Sequence, residues 1–76
     1  MNKQRRKMIA EVIERLEAAK SDLEMIRDEE QEAFDNMPEG LQGSERGEMM
    51  EEAIYQMEEA LDSLDDIISN LYEVAE

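Results

Sequence analysis

The carboxyl-terminal part of the chain carries an uninterrupted helical pattern of apolar residues. Between Met50 and Val74 these residues are separated alternately by three and four positions, the spacing that keeps one stripe of an α-helix facing a partner. This row, the seam, consists of Met50, Ala53, Met57, Ala60, Leu64, Ile67, Leu71 and Val74. A flanking row beside it consists of Ile54, Leu61, Ile68 and Ala75. Together they form an apolar face that is wider than a simple two-helix contact needs, which indicates packing against more than one neighbour.

The amino-terminal part repeats the pattern with polar interruptions. Its seam consists of Ile9, Val12, Leu16, Ala19, Leu23, Ile26, Glu30, Ala33 and Met37. Its flanking row, Ile13, Lys20, Arg27 and Phe34, is apolar only at the two ends. The two patterns predict an all-α fold, an antiparallel two-helix hairpin with helices at about 3–36 and 45–74, in a single domain covering 1–76.

Helix-breaking residues separate the two patterns and predict a turn at about 37–44. Because Pro38 disfavours the helical conformation in the residue before it, we expect the first helix to end at Asp35 or Asn36. Asn36 suits the left-handed conformation that often follows a helix. Leu41 is the only apolar side chain between Pro38 and Gly47. We interpret Leu41 as a cap over the end of the core, and a contact with a partner protein is the alternative.

Ser44 and Gly47 mark the start of the second helix. The Ser44 side chain can accept a hydrogen bond from a backbone N–H of the first turn, and Glu45 and Glu48 suit the positive end of the helix dipole. A glycine inside a helix costs about 1 kcal/mol relative to alanine. Gly47 therefore predicts a close approach of the loop or the first helix at this point.

The composition argues against several classes of function. The 76 residues include no cysteine and no histidine, so the chain has neither a disulfide framework nor a zinc site of the usual kinds. No glycine-rich phosphate loop follows a predicted strand, and no nucleophile has a base at a recognisable spacing. We expect no enzyme activity, no catalytic residue, no cofactor and no metal site. No apolar run is long enough to span a membrane, and we expect a cytoplasmic protein.

The net charge of −14 is unevenly distributed. Residues 1–27 hold seven basic and five acidic side chains, whereas residues 28–76 hold one basic and seventeen acidic side chains. Such an acidic chain is a poor ligand for phosphate backbones and anionic lipids, so we expect no direct binding to nucleic acid or membranes. The basic cluster Lys3–Lys7 could bind an anionic partner. The interpretation we favour places it against the acidic carboxyl end of the second helix, at Asp65, Asp66, Glu73 and Glu76.

Several polar residues have both structural and functional interpretations. Glu30 lies on the seam, where it could serve chemistry or metal binding, specify helix register, or reach water or Arg46 near the turn. We favour the last. Lys20 and Arg27 could place their charges beside acids of the neighbouring helix, although solvated flanking charges are the favoured interpretation. Tyr72 could cover part of the basic cluster through a cation–π contact.

The segment around the turn carries a resemblance to known proteins. Phe34-Asp-Asn-Met-Pro-Glu-Gly-Leu-Gln-Gly-Ser-Glu-Arg-Gly-Glu-Met-Met-Glu-Glu-Ala resembles small, mostly uncharacterised proteins of bacteriophages and prophages in Gram-positive bacteria. The resemblance is most specific in the turn and looser in the flanking acidic heptads. It implies a hairpin in the cytoplasm of a bacterium, or of an infected host cell if the protein is phage-encoded. It implies no activity and no site residues.

The surplus apolar surface suggests the function. Since two helices bury only one side each, we expect the flanking rows to stay partly exposed as an interface: Ile13, Phe34, Ile54, Leu61 and Ile68. Two hairpins could cover it by forming a four-helix bundle. The sequence thus favours a non-enzymatic interaction or scaffold module that forms a homodimer. The alternative is an acidic inhibitor or nucleic-acid mimic, of the phage counter-defence type, that occupies a basic groove on a host protein.

Overall fold

The computed structural model describes all residues from Met1 to Glu76 and contains only helices. Helix α1 spans Lys3–Asp35, the short helix α2 spans Glu39–Gln42 and helix α3 spans Glu45–Ala75. The long helices α1 and α3 pack against each other as an antiparallel hairpin of 58 × 15 × 13 Å. The predicted all-α class is confirmed, and the predicted ends of the long helices are correct to within one residue.

Each long helix begins at a polar side chain that caps its first turn. The Ser44 hydroxyl accepts a hydrogen bond from the Gly47 backbone N–H at 3.3 Å, which confirms the predicted cap of α3. At the start of α1, the Asn2 side chain accepts a hydrogen bond from the Arg5 N–H at 2.8 Å. This second cap binds one of the unpaired amide groups of a helix start that carries only basic charge.

The end of α1 is stabilised differently from the prediction. Asn36 has φ −83°, and no residue of the chain has a positive φ, so the expected left-handed position is wrong. Instead, the Gln42 side-chain amide donates hydrogen bonds to the backbone oxygens of Phe34 and Met37, both at 3.2 Å. Because these bonds bind carbonyl groups at the helix end, no left-handed residue is needed there.

Gly47 lies where the turn crosses the start of α3. A Cβ atom at this position would be 2.1 Å from the backbone oxygen of Gln42, and Gly47 is buried. The predicted close approach is therefore confirmed, and the segment that approaches is the turn.

The hairpin core contains the residues that we expected to remain partly exposed. Ile13, Ile54, Leu61 and Ile68 are between 3% and 8% exposed, and they are the buried hydrophobic residues of the chain. Phe34 is half-buried. The prediction of a partly exposed interface is therefore wrong for Ile13, Ile54, Leu61 and Ile68, and only Phe34 keeps part of its surface exposed. The physical reason is that α1 and α3 are rotated so that their flanking rows face each other, next to the half-buried seam residues Met50, Met57, Leu64 and Leu71.

Candidate interaction face

The rotation of the helices leaves the other half of each seam on the surface. These residues, the outer rows, are Val12, Ala19, Ile26 and Ala33 in α1 and Ala53, Ala60, Ile67 and Val74 in α3. Ile26 is 54% exposed and Ile67 is 46% exposed, although both are large aliphatic residues. Apart from Ala53, which is half-buried, the outer rows are therefore the seam positions that the hairpin does not cover.

Both outer rows lie on the same side of the hairpin. In the direction in which the chain winds around the helix axis, the rows of each long helix follow the same order: the outer row, then the half-buried seam row, then the flanking row. When two antiparallel helices face each other through matching rows, their outer rows point to one side. Two open grooves at the turn agree with this placement. Ala53 of the α3 outer row lines one of them with Glu30 of α1, and Ala33 of the α1 outer row lines the other with Met50 of α3. We call this side the apolar face.

Helix α3 contributes a sector without charge to the apolar face. Residues 48–76 include ten acidic side chains and no basic one. All of these acids lie outside the outer row and outside the positions next to it, which are Met49, Gln56, Ser63 and Asn70. Ala53, Ala60 and Ser63 have small side chains, which allow another helix to approach closely.

The edge of the apolar face on α1 has a different character. The positions next to its outer row are Met8, Arg15, Asp22 and Glu29, all exposed. The charge along this edge is positive toward the open end of the hairpin and negative toward the turn.

The opposite side of the hairpin is held by polar contacts within the chain. Lys20 forms an ion pair with Asp65, which raises the pKa of the lysine through a hydrogen bond to that carboxylate. This contact confirms that Lys20 reaches an acid of the neighbouring helix, and the favoured interpretation as a solvated flanking charge is wrong. Arg27, by contrast, binds Asp28 of its own helix at 2.9 Å.

Tyr72 also connects the two long helices on this side. Its hydroxyl donates a hydrogen bond to the Glu17 carboxylate at 2.8 Å, and this bond raises the pKa of Tyr72. Its polar contact is thus with an acid and not with the basic cluster. From that cluster, Arg6 donates a hydrogen bond to the backbone oxygen of Glu76 at 3.5 Å. The predicted attraction between the cluster and the carboxyl end is limited to this one long contact.

The turn extends the apolar face at one end of the molecule. Leu41 is 52% exposed and lines a groove together with Ala33 and Met50, so its interpretation as a cap over the core is wrong. Its neighbour Gln42 turns inward instead and binds the end of α1. Glu30 is half-buried and lines a groove with Arg46 without forming an ion pair.

The sequence contained a signal for the apolar face. On α3, the positions beyond the flanking row include Glu51, Glu58 and Asp65, whereas those beyond the outer row are uncharged. Because charged residues are depleted at the centre of protein interfaces, the uncharged border favours the outer row of α3 as the surface left for another molecule. The same comparison does not identify the outer row of α1, which is bordered by Arg15, Asp22 and Glu29.

The chain offers no other candidate site of a recognised kind. No three acidic side chains converge closely enough to hold a metal ion. None of the helices combines the length and the apolar character that a membrane crossing requires. Comparisons with protein-family models, curated proteins and solved structures found no match to this chain.

Proposed function

We propose that this protein is a non-enzymatic interaction module that self-associates through the apolar face, with two hairpins forming a four-helix bundle. The observation that carries the proposal is that the outer row of α3 and the positions next to it contain no charged residue. This surface lies uncovered on a chain with 22 acidic residues out of 76. A surface of this kind is typical of a site that another protein covers.

The exposed area supports this proposal. The chain exposes 5827 Å², whereas a folded monomer of 8.9 kDa is expected to expose about 4,800 Å². The excess of about 1,000 Å² is close to the roughly 800 Å² that each partner buries in a typical stable interface. The excess reflects the elongated shape of the hairpin, 58 × 15 × 13 Å, and a second copy packed along its length would bury an area of this order.

The small core points in the same direction. Only four hydrophobic residues are buried in the hairpin. A second hairpin on the apolar face would add Ile26, Ile67 and Val74 to the core. Because these side chains are only 54%, 46% and 45% exposed in the single hairpin, burying the rest of each would contribute on the order of 1 kcal/mol. A second copy fits because it presents a face of the same length and character. The module would act in the cytoplasm of a bacterium or an infected host cell, the context that the resemblance of the turn segment implies.

The test is the mass of the protein in solution, measured by sedimentation equilibrium at micromolar concentrations. We expect a dimer, and we expect Ile67→Glu to raise the dissociation constant on the order of 100-fold or more, since it would bury an unpaired charge. Ser69→Glu is the matched control, because it adds the same charge two residues away, on the exposed side of α3 that points away from the apolar face. A wild-type protein that sediments as a folded monomer of 8.9 kDa would refute self-association.

A second candidate function uses the acidic surface of α3, which lies away from the apolar face. Among the acids of this helix, only Asp65 has a basic partner within the chain. The remaining acids support the hypothesis of an acidic inhibitor or nucleic-acid mimic that binds a basic groove on a host protein. This candidate predicts capture of a nucleic-acid-binding protein from bacterial lysate at low salt, with release by duplex DNA and by high salt. Capture that duplex DNA does not compete with would count against it.

A further inference from the structure

We infer that the two copies associate with their turns at opposite ends of the bundle. In this arrangement α1 lies beside the partner's α1 and α3 lies beside the partner's α3, each pair antiparallel and related by a two-fold axis across the middle of the hairpin. The inference rests on the proposed self-association and adds the orientation of the second copy. Two independent observations support it, the distribution of charge along the hairpin and the order of large and small residues on the apolar face.

The charge is concentrated at the turn end of the molecule. The Lys20–Asp65 ion pair places residues 20 and 65 at the same level along the long axis. The open half, residues 1–20 and 64–76, contains six basic and seven acidic side chains. The turn half, residues 21–63, contains two basic and fifteen acidic side chains. The first half is thus nearly neutral, whereas the second half carries almost the whole net charge.

This distribution decides between the two possible orientations. If both turns lay at the same end, two strongly acidic halves would face each other across the interface. With the turns at opposite ends, each acidic half faces a nearly neutral half of its partner. Because like charges at short range repel strongly even in salt solution, the second orientation has the lower electrostatic energy.

The order of side-chain sizes in α1 favours the same orientation. Its outer row alternates between large and small residues, and its centre lies between residues 22 and 23. In the antiparallel pair, Val12 meets the partner's Ala33 and Ile26 meets the partner's Ala19. Each branched side chain thus faces an alanine.

In the outer row of α3, each branched side chain also faces an alanine when the row is paired with its copy around a centre between residues 63 and 64. Val74 meets the partner's Ala53, and Ile67 meets the partner's Ala60. The contacts between the helices place this centre level with that of α1, so one two-fold axis produces both sets of pairs. Pairing large with small residues gives an even interface without voids or clashes.

The opposite choice gives an uneven interface. With both turns at one end, α1 lies over the partner's α3. Val12 then meets the partner's Val74 at the open end, while Ala33 meets the partner's Ala53 at the turn end. The two middle pairs, Ala19 with the partner's Ile67 and Ile26 with the partner's Ala60, still join a large to a small residue, so the two orientations differ at the ends of the face. The helices would be pushed apart at one end and would leave a gap at the other.

The charged edge of α1 supplies a specific contact in the inferred orientation. Arg15 lies opposite the partner's Glu29, and this pair occurs twice in the dimer. Within one chain these residues are fourteen positions apart, roughly 21 Å along the helix, so they cannot pair with each other. Asp22 lies at the axis and meets the partner's Asp22, which is a like-charge contact.

The orientation can be measured by the distance between spin labels at the two turns. The chain has no cysteine, so Gly40→Cys creates one labelling site, and a Cβ atom at Gly40 has no neighbour within 4 Å. In the inferred orientation the labels are separated by a distance on the order of 50 Å, because the hairpin is 58 Å long. With both turns at one end, they are separated by about 20 Å or less.

The possible results separate the two proposals. A distance on the order of 50 Å in a dimer supports the inferred orientation. A dimer with the short distance would overturn the orientation and leave self-association intact. A folded monomer without any intermolecular distance would overturn self-association, and the orientation with it.

A charge exchange tests the contact between Arg15 and the partner's Glu29. We expect Arg15→Glu and Glu29→Arg to weaken the dimer separately and the double variant to bind its copy about as tightly as the wild-type chain. The coupling should correspond to roughly a tenfold change in the dissociation constant, since two exposed pairs are involved. The double variant has the wild-type net charge, which serves as the control for general repulsion. Effects of the two changes that simply add would contradict the inferred orientation.

The like-charge contact at the axis offers a third test. Asp22→Asn is expected to tighten the dimer severalfold, because it removes repulsion between two facing carboxylates. Asp62→Asn is the matched control. Asp62 lies at nearly the same level of the hairpin, but on the exposed side of α3 that points away from the apolar face. Equal effects of the two changes would place Asp22 away from the axis and contradict the orientation.

Discussion

Gly47 shows how one residue can oppose the preference of its own helix. Alanine is favoured over glycine inside a helix by about 1 kcal/mol. At this position, however, a Cβ atom would be 2.1 Å from the backbone oxygen of Gln42, and a backbone atom cannot move aside as easily as a flexible side chain. The close contact therefore outweighs the helix preference.

We predict that Gly47→Ala lowers the free energy of unfolding by about 1–3 kcal/mol, because the turn must shift away from α3. Urea unfolding at a fixed protein concentration measures the effect. Gly40→Ala is the control, since Gly40 lies in α2 with open space around it and should change stability by no more than about 1 kcal/mol. Equal stability of the two variants would show that the turn does not rest on Gly47 in solution.

The two tyrosines make a residue-scale prediction about pH. The hydrogen bond to Glu17 raises the pKa of Tyr72, and a bond to Glu59 raises the pKa of Tyr55. In both cases the folded state favours the neutral phenol. The stabilisation is therefore fully present below the ordinary tyrosine pKa of about 10 and is lost as the pH rises through the raised value.

We expect Glu17→Gln to lower the pKa of Tyr72 toward its ordinary value, because the substitution removes the negative charge beside the phenol. Tyrosinate absorbance in a Tyr55→Phe background isolates Tyr72. In the same background, Glu59→Gln should leave the titration unchanged. If Glu17→Gln left the pKa of Tyr72 unchanged, the result would contradict the contact between Tyr72 and Glu17.

At the scale of the element, α3 divides its apolar surface between two tasks. The flanking row Ile54, Leu61 and Ile68 is buried against α1, and the outer row is left largely exposed, where we propose that a second molecule binds. The short helix α2 belongs to the same scale. Its presence depends on the turn packing against α3 and on Gln42 binding the end of α1, neither of which is visible in the local sequence.

Because the two apolar rows of α3 have different surroundings, shortening a side chain to alanine should have different effects in each row. We expect Leu61→Ala to lower the free energy of unfolding by about 2–5 kcal/mol, since it leaves a cavity in the hairpin core. Ile67→Ala is expected to act mainly on the dissociation constant of the dimer, because this side chain is 46% exposed in the single chain. Urea unfolding and sedimentation equilibrium measure the two effects. A Leu61→Ala variant that is a monomer of undiminished stability would instead place Leu61 in the interface.

At the scale of the whole molecule, the proposed association would join two chains that each carry a net charge of −14. The apolar face would have to overcome the resulting repulsion, which salt screens over about 10 Å at moderate ionic strength. Self-association and binding to a basic partner therefore respond to salt with opposite signs.

We predict that the dissociation constant of the dimer falls severalfold between low and moderate salt, and that the unfolding temperature rises with protein concentration. Sedimentation equilibrium and thermal unfolding followed by circular dichroism measure the two effects. The Ile67→Glu variant serves as the control, because a monomer should show no dependence on concentration. A dimer that dissociates as salt increases would show that charge attraction, and not the apolar face, holds the copies together.

The two long helices, their ends, the Ser44 cap and the close approach at Gly47 could all be predicted from the sequence. These features depend on chemistry within a few residues and on the regular spacing of apolar positions. Which apolar rows face each other could not be predicted, because it depends on the packing of the whole hairpin. On either helix the flanking and outer rows lie about 100° apart, with the half-buried seam row between them, so a modest rotation exchanges them. The observed rotation buries Ile13, Ile54, Leu61 and Ile68, exposes Ile67, and brings Lys20 to Asp65 and Tyr72 to Glu17, so it depends on contacts between residues far apart in the chain.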